Sequence, residues 1–167
     1  MLSKHLTRFG IAVLLTGLLS SCGFHLRETP EFSEKLQATA LQGVPEFSEL
    51  DLAFKRYFSR EGYTLIVKEN AQAIIKVTKD KFTRRVLSVN INGDPNEYEL
   101  NYQLKVLLVD INDKEIMPPQ SVTQYRSYGF DPDLRLAKGA EEAHLKKTMV
   151  DAAVKEIMHR ISVVLRK

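Results

Sequence analysis

One cysteine, Cys22, stands among 167 residues, so the chain cannot close a disulfide within itself. An exported protein has that option, and this one does without it, leaving stability to packing. Long apolar runs are also wanting. Phe9–Leu19 is too short to span a bilayer, which takes about 20 apolar residues. Charge of one sign is nearly balanced: discounting Lys4 and Arg8, ahead of that stretch, leaves 22 basic residues against 21 acidic ones. No half of the remaining chain is strongly basic, which excludes a global nucleic-acid footprint. A glycine-rich phosphate loop and a nucleophile elbow are missing, as are internal repeats and low-complexity segments. The chain therefore reads as non-enzymatic, with no cofactor implied.

What is present begins with Lys4 and Arg8, the apolar stretch Phe9–Leu19 and then Leu19-Ser20-Ser21-Cys22-Gly23. This is the charged start, short apolar middle and small-residue cleavage site of a secretory signal. A sole cysteine just past Leu-Ser-Ser also matches the lipobox of bacterial lipoproteins, where the thiol is alkylated by a diacylglyceryl group and becomes the new N-terminus. An ordinary secretory signal has no need of a cysteine there. Several acyl chains, at about 0.8 kcal/mol per buried methylene, hold a membrane far more firmly than one. The expected organisation is a signal peptide over 1–21, a lipidated tether over 22–34 and a single domain over 35–167.

Within that domain, Lys35–Leu41 alternates weakly and is expected to be a first strand. Gly43 and Pro45 break the chain, after which Ser48 is a good helix N-cap, with Asp51 three residues on as in a capping box. Phe47 is placed to staple onto Leu52. Leu50, Phe54, Tyr57 and Phe58 make one apolar stripe, and Gly62 is placed to end the helix. The period then changes to two. Tyr63–Lys68, Ala73–Thr78 and Arg85–Ile91 read as strands, with a bulge or bend near Asp80–Arg84. Asn92-Gly93-Asp94-Pro95 is a strong turn signal. Next, Tyr98, Leu100, Tyr102, Leu104, Val106 and Leu108 point one way, while Glu97, Glu99, Asn101, Gln103 and Lys105 point the other. That strand would be roughly 40 Å long. Asn112-Asp113-Lys114 is a turn, Pro118-Pro119 is expected to end the segment after it, and Ser121–Phe130 is a last strand. From Leu134 a long helix buries Leu145, Met149, Ala152 with Ala153, Ile157, Ile161 and Val164 with Leu165. The fold class is α+β: two helices packed on one face of a mostly antiparallel β-sheet, a two-layer sandwich.

Two patterns bear on function. Glu141…His144 and Glu156…His159 repeat Glu-x-x-His, a spacing that ligates metal when two copies face each other from different helices. Here both fall on one helix about 22 Å apart, so they cannot share an ion and are read as solvated faces. The second pattern is basic. Lys76, Lys79, Lys81, Arg84 and Arg85 crowd one strand and bend, and Arg126, Arg135 and Lys138 flank Tyr128-Gly129-Phe130-Asp131. Cations beside exposed rings suit a phosphorylated, fatty-acylated ligand. The same lysines would equally serve to solubilise an edge strand. Both readings stand on the residues alone.

Cys22-Gly23-Phe24-His25-Leu26-Arg27 resembles the mature start of the LPS-assembly lipoproteins. The likeness continues in order through the Asn92-Gly93 turn, Glu97-Tyr98-Glu99-Leu100, Tyr125-Arg126-Ser127-Tyr128 and Leu136-Ala137-Lys138, covering most of the mature chain. The resemblance implies an outer-membrane lipoprotein that sits within the lumen of an LPS-assembly β-barrel protein, helps it fold and binds lipopolysaccharide. It implies anchoring through acyl chains on Cys22, Gly23 directing the lipid to the outer membrane, and a lipopolysaccharide-contacting lysine at Lys138. The basic residue that the family can carry just before the Asn-Gly turn has no counterpart, since Ile91 stands there. Arg84, Arg85 and Arg126 are the further candidates for pairing phosphate. A porin-sized lumen is polar, in keeping with the polar face of the long strand. The other reading is a structural, periplasm-facing lipoprotein that binds an envelope protein and no lipid.

Overall fold

The computed structural model describes residues 34–165. Cys22, the signal and the tether up to residue 33 lie outside them, as do residues 166–167. The chain order is α1 (Glu34–Gln37), β1 (Thr39–Gln42), α2 (Glu49–Arg60), a 3-10 turn (Lys68–Asn70), β2 (Ala73–Val89), β3 (Pro95–Val109), β4 (Glu115–Gly129), a second 3-10 turn (Pro132–Leu134) and α3 (Arg135–Leu165). The four strands lie side by side in the order β1-β2-β3-β4. Only β1 and β2 are parallel, an arrangement that needs a crossover, and α2 supplies it. The α+β architecture is as expected: α2 and α3 share one core with one face of the sheet.

The long strand behaves as its alternation demands. Leu100, Tyr102, Leu104, Val106 and Leu108 are all buried, while Lys105 between them is exposed. From the helix side, Phe54 and Phe58 of α2 and Met149, Ala153, Ile157 and Ile161 of α3 meet that stripe. The buried stripe of α3 is wider than expected, because Val150, Val154 and Met158 are sunk as well, whereas Val164 is exposed. A helix wedged between a sheet and a second helix must bury two adjacent rows rather than one.

Local chemistry fixes the ends of α2. Ser48 Oγ accepts from the Asp51 amide at 3.2 Å. The carboxylate of Asp51 accepts from the Phe47 amide at 2.9 Å, one residue outside the usual capping box. Phe47 has φ +60° and is exposed, with Lys55 over its ring, so the expected staple to Leu52 does not form. At the other end the Tyr63 amide reaches the Phe58 carbonyl and the Gly62 amide that of Ser59, with Gly62 at φ +80°. This is the Schellman geometry that glycine favours.

Four expectations need correction. Lys35–Leu41 is not a strand: one turn of helix carries Leu36 into the main core, and Thr39 Oγ1 closes that turn on the Leu36 carbonyl at 2.8 Å before β1 begins. Nor is Tyr63–Lys68 a strand. It runs beside β1 with Ile66 N–H on the Thr39 carbonyl at 2.9 Å, and Ile66 packs on a small second cluster of Ala40, Ala71, Ile74 and Val109 behind the sheet. Ala73–Thr78 and Arg85–Ile91 are parts of one strand, β2, whose register slips between Val77 and Lys79 and again after Val86, on either side of the expected Asp80–Arg84. Finally, Pro118-Pro119 does not end its segment. Val106 pairs Gln120 and Leu108 pairs Met117, so both prolines sit opposite Leu107 in a bulge of the outermost strand, where their missing N–H groups cost the ladder little.

Candidate functional site

Past the slip at Thr78, β2 has changed phase. Asp80, Phe82, Arg84 and Val86 now register with Leu104, Tyr102, Leu100 and Tyr98 on the helix side. One cross-strand row there reads Arg84–Leu100–Arg126, with buried Leu100 flanked by the two arginines. The next row reads Val86–Tyr98–Tyr128. The Tyr98 and Tyr128 rings stack at 5.8 Å, and Phe130 meets Tyr98 edge-on at 5.2 Å. The Arg84 guanidinium lies 4.6 Å from the Tyr98 ring centroid, a cation–π contact.

The first turns of α3 close over this corner. The Glu142 carboxylate accepts from Arg84 Nη1 at 2.7 Å and from the Tyr128 hydroxyl at 2.5 Å. Partial burial opposes the charge on Glu142, but the hydrogen bonds from Tyr128 and Arg84, together with the charge of Lys146, hold its carboxyl below the ordinary range. Burial, then the hydrogen bond to Glu142, pushes the Tyr128 phenol up to about 12. Arg84 is raised, chiefly by its bond to Glu142. Deeper in the same face, the Tyr102 hydroxyl is buried without a hydrogen-bond partner. Burial raises that phenol, and the charge of nearby Asp80 raises it further.

Three of the four expected cations meet here, and the fourth does not. Lys138, on the first turn of α3, pairs with Glu141 at 2.9 Å. Arg126 donates only to its neighbour's carbonyl, that of Tyr125, at 2.7 Å, and no carboxylate among the described residues lies within ion-pair distance of it. Arg85, adjacent to Arg84 in the chain, points to the opposite face and pairs with Glu99 at 2.7 Å. Period two separates the neighbours. Glu142 and the Tyr98–Tyr128–Phe130 cluster were not picked out from the sequence as site residues. A carboxylate four positions after Lys138 on a helix was the available signal. At the far hairpin tip the turn is made by Asn90, whose Oδ1 accepts from the Asn92 and Asp94 amides at 2.9 and 3.0 Å, with Gly93 at φ +84°. Ile91 is fully exposed there.

The chemistry on offer is recognition: guanidinium and ammonium groups for phosphate, aromatic edges for an apolar or sugar surface. No three or more His, Cys, Asp or Glu side chains among the described residues are grouped to hold a metal ion. The two Glu-x-x-His carboxylates are engaged elsewhere, Glu141 with Lys138 and Glu156 with Arg160 and Gln124.

A family model for lipopolysaccharide assembly, LptE, matches residues 36–161. The chain belongs to the LptE family. Among similar proteins, the LPS-assembly lipoprotein LptE of Pectobacterium atrosepticum is 28% identical over 156 residues, covering 91% of this chain and 81% of the relative. That of Yersinia enterocolitica is 26% identical over 158 residues, covering 93% and 73%. A solution structure of lipoprotein B from Nitrosomonas europaea superposes with a TM-score of 0.65 at 26% identity, over 84% of this chain and 90% of that one. Rare lipoprotein B from Shewanella oneidensis shares the fold, with a TM-score of 0.64, 24% identity and 75% and 93% coverage. LptE membership assigns the chain to lipopolysaccharide assembly as a lipoprotein of the cell envelope. No helix among the described residues is long and apolar enough to cross a membrane.

Proposed function

We propose that this LptE-family chain is a non-enzymatic outer-membrane lipoprotein, anchored through acyl chains on Cys22, that plugs and helps assemble the β-barrel delivering lipopolysaccharide to the cell surface. It binds lipopolysaccharide as part of that work. The observation that carries the ligand half of this reading is the row Arg84–Leu100–Arg126 beside the Tyr98–Tyr128–Phe130 cluster, with Lys138 on the helix above. Among these cations Arg126 is the one ready to pair with a phosphate, having no carboxylate partner. Lys138 and Arg84 would first exchange Glu141 and Glu142 for the ligand. Guanidinium pairs phosphate through two parallel hydrogen bonds, which favours Arg126 further.

That same pairing favours a second reading. Cations already neutralised by neighbouring glutamates can serve only to dock α3 on the sheet, which suits a structural lipoprotein that binds another envelope protein and no lipid. Lipopolysaccharide retention by the purified protein separates the two. Arg126→Ala and Lys138→Glu should each weaken retention several-fold with the fold intact by circular dichroism. Unchanged retention in both variants supports the structural reading. Recovery from membranes with a large β-barrel supports the plug, and recovery only with peptidoglycan or a soluble complex sinks it.

A further inference from the structure

The phase change at Thr78 also acts on the other face of the sheet, which α2 and α3 leave open. There, Lys79 stands directly opposite Lys105 in the β2–β3 ladder, and Lys81 lies two residues along, opposite Gln103. All three lysines are exposed, and among the described residues none has a carboxylate within ion-pair distance. The flanking positions across β3 and β4 are neutral hydrogen-bonding groups: Ser121 beside Lys105, Thr123 beside Gln103, and the row Thr83–Asn101–Tyr125. The acids nearest in register are taken, Glu99 by Arg85 and Asp113 by Lys76.

Like charges placed directly opposite destabilise an antiparallel pair. Edge protection accounts for part of the pattern, because β1 covers only Ala73–Lys76 and β2 is a bare edge beyond that. It does not account for Lys105, which lies on a strand paired on both sides. Three ammonium groups within about 7 Å of one another along and across the strands form a compact anion trap. Lysine is depleted at protein–protein interfaces, so a polypeptide is the poorer match. Tyr125, 54% exposed on this face, adds a ring for a sugar to lie against.

We propose that Lys79, Lys81 and Lys105 bind the phosphate groups of the sugar headgroup of lipopolysaccharide, on the face opposite the Arg84–Arg126 corner. The proposal rests on the lipopolysaccharide-binding reading above and adds a second, independent contact surface to it. The test uses the full chain purified from membranes in detergent, wild type and the Lys79→Gln/Lys81→Gln/Lys105→Gln variant. The probes are lipopolysaccharide with its sugar phosphates, the same material chemically dephosphorylated, and a polyglutamate peptide. The variant should lose tenfold or more in affinity for the phosphorylated form and show a flatter salt dependence. Wild type and variant should be alike on the dephosphorylated form. Because repulsion is relieved, the variant's melting temperature should hold or rise, and Lys105→Gln alone should give an intermediate affinity. Equal affinity of wild type and variant for phosphorylated lipopolysaccharide, with Lys138→Glu weakened, overturns this site and leaves the earlier reading standing. A wild type that holds no lipopolysaccharide overturns both. A variant that loses only polyglutamate binding overturns the phosphate assignment in favour of an acidic peptide.

Discussion

Glu142 joins three things at one carboxylate: the second turn of α3, the Arg84 guanidinium on β2 and the Tyr128 hydroxyl on β4. Its depressed pKa means that the charged form is favoured by folding, so the stability it lends is present above the ordinary carboxylate pKa of about 4.3. That stability is lost as pH falls through its lower folded value. Tyr128 works at the other end of the scale. Its phenol is held protonated, with a folded pKa near 12 against an ordinary 10.0, so its contribution is whole below pH 10 and lost between pH 10 and about 12. Thermal melts should therefore fall at both extremes. In Tyr128→Phe the alkaline loss should shrink, and an ultraviolet titration of the wild type should lack one tyrosine at pH 10–11 relative to the free phenol. A full tyrosine titration centred on pH 10 would show that the phenol is not held.

Elements whose signals are local were legible in the sequence. Ser48 and Gly62 bracket α2 because both are end devices that act within one turn of chain. Ser48→Ala should cost about 1 kcal/mol in denaturant unfolding, the ordinary value of such a cap; a loss near zero would mean that the Asp51 carboxylate on the Phe47 amide holds the helix end unaided. The stripe of β3 was equally plain, since a strand buried on one face repeats every second residue. Where distant chain decided the outcome, the sequence misled. Tyr63–Lys68 has the composition of a strand, but β1 is four residues long and Ile66 is drawn behind the sheet instead. Pro118-Pro119 reads as a stop until it is known that β4 is an outer strand and that the pair occupies a bulge. Lys35–Leu41 turned helical because Leu36 had a core to enter. The candidate site was legible by residue type and hidden by phase: Arg84 and Arg85 look like one patch and serve two faces.

At the scale of the whole molecule the sheet is covered unevenly. At its proximal end, Ile74 and Ile75 are fully buried and β2 is flanked by both β1 and β3. Towards the hairpin tip, β2 is a free edge whose Val86, Leu87 and Val89 are about half exposed. Local opening free energies follow burial and contact. Backbone amides of Arg85–Val89 should therefore exchange with deuterium well ahead of those of Ile74–Val77 and Leu104–Leu108. Uniform protection along β2 would contradict this. Such a hairpin, anchored at one end and compliant at the other, is also suited to being threaded into a confined space, as the barrel-plug proposal requires.

Thr78 has so far been a detail of register. In terms of heredity it is a point of unusual exposure. Removing that one residue would leave the length of β2 almost unchanged yet exchange the two faces of everything after it, sending Lys79 and Lys81 toward the core and Phe82 and Arg84 to the open side. A three-base deletion there should abolish function as completely as loss of the strand, while the loss of one residue from the exposed Ile91–Asn92 tip should be tolerated far better.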